Sequence, residues 1–178
     1  MNNILKINLI ALTALMLSFP VFSADGVAVI DMRTAVLSTQ AAQDAFKALE
    51  EDADYAANLE EARSIQAERQ SLAENLQKDA ETLSQAEIAE IQRDIQEKGQ
   101  EIEFIIGKVQ AKQNQTVEKI FADINPTLQK ILSELIAAKE VKLLLSQENV
   151  LFSDPALVLT DDVTSLLDVA LAEGQNEQ

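Results

Sequence analysis

The chain of 178 residues contains no cysteine, no histidine and no tryptophan. Without cysteine or histidine, the usual zinc and iron–sulfur centres are excluded, as is any catalytic triad or general base that depends on histidine. We therefore predict no metal site, no cofactor and no catalytic residues, and we expect the protein not to be an enzyme. Disulfides are also excluded, so the folded state must be stabilised by packing or by oligomerisation.

Turn-forming and basic residues are scarce. Only four glycines and three prolines occur, which together with the abundance of alanine, leucine and glutamate predicts a helix-rich fold. The 14 Lys and Arg residues stand against 30 Asp and Glu, so the net charge at pH 7 is −16. Because such a chain repels phosphate groups, we expect no binding to nucleic acid.

The N-terminal segment has the pattern of a secretory signal peptide. Lys6 precedes an apolar run at 9–19, and Ser23 or Ala24 offers a small residue at which cleavage can occur. We predict a cleaved signal peptide over residues 1–23. The alternatives are a retained membrane anchor and a buried core helix. A membrane anchor is disfavoured because the run is too short to span a bilayer comfortably.

Short apolar runs near both ends of the mature chain predict β-strands. Residues 27–30 form one β-branched run, and residues 141–146 and 150–152 form two more that are separated by a turn. The last two runs predict a hairpin. Thr160 is expected to cap a final helix over 161–172.

The middle of the chain predicts two long helices. No glycine or proline occurs from 41 to 98, and apolar residues recur there at spacings of three and four. Ser84 and Glu87 form a capping-box pattern, which places the turn between the helices near 80–84. Pro126 is expected to kink or interrupt the second helix, because proline removes a backbone donor and clashes with the preceding turn.

These elements predict an α+β fold with two parts. Strands from both ends of the chain form a small β body (24–40 and 130–172), and an antiparallel helical hairpin, a coiled coil, forms a long arm (41–129). Residues 173–178 are expected to be a flexible tail. With about 45 residues per helix, the arm would be about 60 Å long. Three short strands leave unpaired edges, so we expect an oligomer.

Three parts of the sequence resemble the Skp (OmpH) family of periplasmic chaperones. They occur in the family's order and cover essentially the whole mature chain, at 26–37, 76–87 and 143–163. The resemblance implies a jellyfish-shaped homotrimer in the periplasm, with a central β body and three arms around a cavity. It also implies that unfolded outer-membrane β-barrel proteins are the partners, and that neither ATP nor a cofactor is needed.

The arm tip departs from the family pattern. Family members are often basic, and their cationic tips are thought to attract acidic clients and lipids. Here residues 79–92 include four acidic residues and no basic one. The acidic tip therefore puts membrane contact in doubt for this chain.

Apolar residues supply the candidate sites. Most of the apolar stripe along the arm is expected to pack the two helices together, whereas residues at its edge, near the tip or off the stripe are candidates for contact with a client. These candidates are Leu72, Leu83, Ile88, Ile91, Phe104 and Ile106. The candidates for burial in the trimer body are Val27, Val29, Leu143, Leu145, Val150 and Phe152.

The predicted function is that of an ATP-independent periplasmic holdase. It would bind unfolded outer-membrane β-barrel proteins in the cavity between the arms and prevent their aggregation. The alternative is a non-catalytic scaffolding coiled-coil protein of the cell envelope. An exported enzyme is a weaker alternative, because the sequence has no nucleophile elbow and no glycine-rich loop.

Overall fold

The computed structural model describes residues 26–176. The predicted signal peptide and its cleavage site lie outside the described residues. Within the described part of the chain, no helix is both long and apolar enough to cross a membrane.

Two short strands and five helices account for most of the described chain. In sequence order they are β1 (Val27–Ile30), α1 (Met32–Leu37), α2 (Gln40–Glu50), α3 (Ala53–Asp79), α4 (Gln85–Ala138), β2 (Leu143–Ser146) and α5 (Thr160–Asn176). Two short 3-10 turns, Gln147–Asn149 and Pro155–Leu157, lie between β2 and α5. The last helix begins where it was expected and extends four residues beyond the predicted end at 172.

The two strands come from opposite ends of the chain and pair in parallel. Val27 lies opposite Leu143, and the register continues through the four residues of each strand. On its other side, β1 forms an isolated bridge between Val29 and Val158, where the Leu159 amide donates to the Val29 carbonyl at 2.9 Å. Strands from both ends of the chain therefore form the sheet, as predicted.

The predicted strand at 150–152 is wrong for the described chain. A 3-10 turn follows β2 and directs the chain away from the sheet, so no hairpin forms. The bridge to Val158 already takes the free side of β1 at Val29. The run at 150–152 therefore does not pair with β2, whose outer edge stays unpaired within the described residues.

The main core lies where α1, α2, α4 and α5 meet under β1. Ala42 of α2 and Ile120, Ile124 and Leu128 of α4 are buried in it, although the sequence analysis assigned all four to the arm. The core therefore reaches beyond the predicted body ranges. The buried residues of this main core cluster are Ile30, Ala35, Val36, Ala42, Ile120, Ile124, Leu128, Ile131, Val163 and Leu167.

The first predicted arm helix is divided into α2 and α3. The break falls at Glu51 and Asp52, and the Asp52 carboxylate caps α3 by accepting from the Tyr55 amide at 2.9 Å. The sequence analysis missed this boundary because no glycine or proline marks it. Since α2 packs in the core, the free arm begins at α3, whose 27 residues span about 40 Å rather than 60 Å.

The turn of the hairpin is confirmed. α3 ends at Asp79 and α4 begins at Gln85, with Ser84 as its cap. The Ser84 hydroxyl accepts from the Glu87 amide, and the Glu87 carboxylate accepts from the Ser84 amide at 2.8 Å, so both bonds of the capping box are present.

Pro126 does not interrupt α4, which continues unbroken to Ala138. Proline removes only one backbone donor from a helix of 54 residues, and Pro126 itself is exposed. Ile124 and Leu128, on either side of it, are buried in the core. Burial of this face therefore keeps the helix continuous through the proline.

Thr39 provides a test of how α1 is joined to α2. Its fully buried hydroxyl donates to the Val36 carbonyl at 2.8 Å and accepts from the Ala42 amide at 3.2 Å. Thr39→Val keeps the shape but removes both bonds, so we expect the free energy of unfolding to fall by about 1–2 kcal/mol. Thr39→Ser retains the hydroxyl, so its free energy of unfolding should fall clearly less. Equal losses in chemical denaturation of the two variants would contradict this account.

Candidate functional site

The two helices of the arm pack along one narrow seam. Near the body, Tyr55 of α3 packs with Val109 of α4, and further along Ala62 and Ile65 pack with Ile105. No side chain from 66 to 104, the part of the arm that includes the tip, is fully buried. The outer part of the arm is therefore held by partly exposed contacts, which favours local opening there.

Polar contacts supplement the seam. Lys98 of α4 pairs with Glu68 of α3 across the middle of the arm. At the root, the Lys112 ammonium lies 3.3 Å from the Asp52 carboxylate, and Gln113 donates to the Tyr55 hydroxyl at 2.7 Å. The two contacts at the root join the start of α3 to α4 at the point where the arm leaves the body.

Four of the six predicted client-contact residues are half-buried. Leu72 of α3, Leu83 in the turn, and Ile88 and Ile91 of α4 lie towards the tip and are neither covered nor fully exposed. Half-burial in the weakly packed part of the arm fits the prediction that they lie at the edge of the stripe.

Phe104 and Ile106 are the more exposed pair, with 66% and 37% of their surfaces accessible. They lie on either side of the buried Ile105. Residues two positions apart in an α-helix are separated by about 200° around its axis. The structure therefore places them on different sides of the arm. The ammonium of Lys108, one turn along, lies 4.4 Å from the centre of the Phe104 ring.

The predicted trimer-body residues divide into two groups. Val29 is buried by its own chain, and Val27, Leu145 and Val150 are half-buried. Leu143 and Phe152 are exposed, at 51% and 88%.

Leu151 is fully exposed beside Phe152 and was missed by the sequence analysis, although it belongs to the same apolar run. We call Leu143, Leu151 and Phe152 the association surface. Three large apolar side chains are thus left in solvent beside a sheet of two strands.

The shifted pKa values in the described chain belong to helix caps and to the arm. The Thr34 amide lowers the pKa of Asp31, and the Ser84 hydroxyl lowers the pKa of Glu87. The bond from Lys98 to Glu68 raises the pKa of Lys98. Within residues 26–176, no group of three potential ligands could hold a metal ion. These shifts, together with that of Asp52, reflect helix caps and the ion pairs Glu68–Lys98 and Asp52–Lys112.

A small body of strands and helices with a long helical-hairpin arm defines an α+β protein, and this fold class is confirmed. The family model described as "Outer membrane protein (OmpH-like)" matches residues 26–167, so the chain belongs to the OmpH-like family. The predicted resemblance is thereby confirmed. The family is one of chaperones, and membership in it supports a chaperone role for this chain.

Among the solved structures that are similar to the chain is one of a bacterial protein. The structure is from Caulobacter crescentus CB15 and is described as a "putative outer membrane chaperone (OmpH-like)". It has 20% sequence identity and a TM-score of 0.47, with 82% of this chain and 85% of that chain covered. A search of curated proteins gives no significant match.

The contact between Asp52 and Lys112 provides a test of how the arm is anchored. Asp52→Ala removes both the cap of α3 and the ion pair, whereas Asp52→Asn retains a capping side chain and loses only the charge. We expect faster amide exchange in the first turn of α3 in both variants, with the larger increase in the alanine variant. Hydrogen-exchange mass spectrometry measures this, and unchanged exchange in both would contradict the anchoring role.

The same contact predicts a pH dependence. The Tyr55 amide and then Lys112 hold the pKa of Asp52 below its ordinary value of 3.8. A carboxyl with a lowered folded-state pKa stabilises the fold above its unfolded pKa, and the contribution is lost as the pH falls through the folded value. Wild-type exchange in the first turn of α3, corrected for intrinsic rates, should therefore rise below about pH 4. Asp52→Asn has no carboxylate to protonate at this position, so it should not show this rise in exchange at low pH.

Proposed function

We propose that the chain is an ATP-independent holdase that binds unfolded outer-membrane β-barrel proteins in the periplasm, as a homotrimer. The observation that carries the proposal is the exposure of large apolar side chains at two separate places. One is the association surface on the body, and the other is the side of the arm at Phe104. The first fits self-association and the second fits contact with a client.

The association surface supports a trimer because the body is incomplete in one chain. A sheet of two four-residue strands is marginal without further strands or packing partners. Burying one leucine or phenylalanine side chain stabilises by about 2 kcal/mol, so three such residues in each copy provide a substantial driving force. Association through the body would leave the three arms free to surround a common space.

The arm supports client binding because its apolar contacts are dispersed. Phe104 and the half-buried residues near the tip each offer a small apolar area rather than one deep pocket. Single contacts of this kind are weak, but several arms acting on one unfolded polypeptide raise the overall affinity through effective concentration. An exposed, multivalent surface needs no ATP to hold a client.

The direct experiment is aggregation of a urea-denatured porin diluted into buffer with the mature chain, followed by light scattering without nucleotide. We expect scattering to be suppressed when the molar concentration of the proposed trimer equals or exceeds that of the porin. Serum albumin at the same mass is the control for nonspecific protein. Scattering unchanged from that control would reject the holdase and favour the scaffolding protein.

The association surface has its own test in a variant that carries Leu151→Ser and Phe152→Ser. Because both side chains are exposed in the single chain, the fold of that chain should be retained while association is weakened. Native mass spectrometry should show trimers for the wild type and mainly monomers for the variant. Phe104→Ser removes an exposed aromatic from the arm and should remain trimeric. Equal trimer content in all three proteins would contradict the proposed interface.

A further inference from the structure

A polar groove lies between α3 and α4 in the outer part of the arm. It has a volume of about 510 Å³, and Ile95 is the one apolar side chain that lines it. The polar side chains that line it are those of Arg69, Gln92, Gln96, Gln100 and Glu103. Because one of these is basic and one is acidic, the groove has no net charge. It therefore offers hydrogen-bonding groups rather than charge of one sign.

The three glutamines of the groove form a row along α4. Gln92, Gln96 and Gln100 are four residues apart, so each step along the row is a rise of about 6.0 Å and a rotation of about 40°. All three side chains are exposed. We call these residues the glutamine row. Since each amide carries two N–H donors and one carbonyl acceptor, the row repeats donors and acceptors at a regular interval.

The polar groups of the groove have no partner in their own chain. Within residues 26–176, the side chains of the glutamine row form no hydrogen bond, and Arg69 and Glu103 form no ion pair. A glutamine of the arm can be satisfied by its own helix, as Gln70 of α3 shows by donating to Glu74 at 3.0 Å. The glutamine row has no such contact, so its hydrogen bonds are left to solvent or to a ligand.

Gly99 leaves space beside the glutamine row. A Cβ atom at this position would lie 3.8 Å from the Arg69 Nε atom, which is an ordinary contact distance. The packing of the arm would therefore accept alanine, which is the better helix former. Glycine is thus not required by the contacts of the arm itself. Its missing side chain allows another polypeptide backbone to approach α4 closely at this point.

We propose that the glutamine row binds the extended backbone of an unfolded client through the client's peptide groups. This inference rests on the proposed function and specifies which part of the client the arm recognises. One edge of an extended chain presents an N–H and a C=O group at every second residue, which is about every 6.6–6.8 Å. The rise of about 6.0 Å per step in the row is close to this spacing, and flexible glutamine side chains take up the difference.

Backbone recognition lets one arm accept many client sequences. Main-chain groups are the same in every client, so bonds to them give affinity without selecting side chains. A charged client side chain gains little, because Arg69 and Glu103 offset each other. Phe104 lies one turn beyond Gln100 and is exposed, so it supplies an apolar contact at the end of the row. From Gln92 to Phe104 the distance is about 18 Å, the length of about five extended residues.

The experiment measures binding of two labelled 12-residue peptides to the mature full-length chain by fluorescence anisotropy. Both peptides have the same neutral sequence of alternating valine and serine, and in one of them the six central amides are N-methylated. N-methylation removes the backbone donors and leaves the side chains unchanged. We expect wild type to bind the unmodified peptide about fivefold more tightly, as three exposed hydrogen bonds allow. Q92M/Q96M/Q100M keeps the size and helix propensity of the row without its amides, so it should bind both peptides equally.

Matched variants separate the glutamine row from its composition. Q66M/Q77M/Q110M changes three other exposed glutamines, two on α3 and one on α4, and should keep the preference for the unmodified peptide. F104S removes only an apolar contact, so it should weaken binding of both peptides by the same factor and also keep the preference.

The proposal is overturned if wild type binds both peptides equally, if Q92M/Q96M/Q100M keeps the preference, or if Q66M/Q77M/Q110M loses it. A changed oligomeric state of Q92M/Q96M/Q100M in native mass spectrometry would make the row a contact between copies and would also overturn it. Any of these results with porin aggregation still suppressed by wild type would reject backbone binding alone. Failure of wild type to suppress porin aggregation would reject the proposed function.

Discussion

The pairing of β1 with the far end of the chain is the constraint on which the rest of the structure depends. β1 joins β2 on one side and the Val158–Leu159 segment on the other. The Asp31 amide then donates to the Thr160 hydroxyl at 3.0 Å, at the start of α5. With the two ends tied together, everything between α2 and β2 must leave the body and return to it, and a helical hairpin does this with a single turn.

α4 transmits this constraint to the arm because it belongs to both parts. Its C-terminal half contributes Ile120, Ile124 and Ile131 to the main core, and its N-terminal half packs on α3 through Ile105 and Val109. α3 reaches the body only through the corner at Asp52. The body thus fixes the direction of one arm helix, and the second helix follows it along a narrow seam.

Features set by neighbouring residues could be predicted from the sequence. The capping box at Ser84 and Glu87, the strand at 27–30 and the start of the last helix depend on residue type and spacing alone. The α+β class followed from them.

Features set by distant residues could not be predicted. The core extended into α2 and α4 because α5 returns to cover them, and α4 continued through Pro126 because its neighbours Ile124 and Leu128 are buried. The run at 150–152 has strand composition, but the 3-10 turn after β2 directs it away from the open edge of that strand. On the arm, the exposure of Phe104 followed from its position off the apolar stripe, and its separation from Ile106 follows from their spacing of two residues on one helix.

In the proposed holdase, the net negative charge and the apolar contacts with a client would act over different distances. Apolar contacts act only when surfaces touch, whereas charge repulsion at physiological salt extends about 8 Å. Loaded complexes would therefore repel one another, while a client segment already in contact would stay bound.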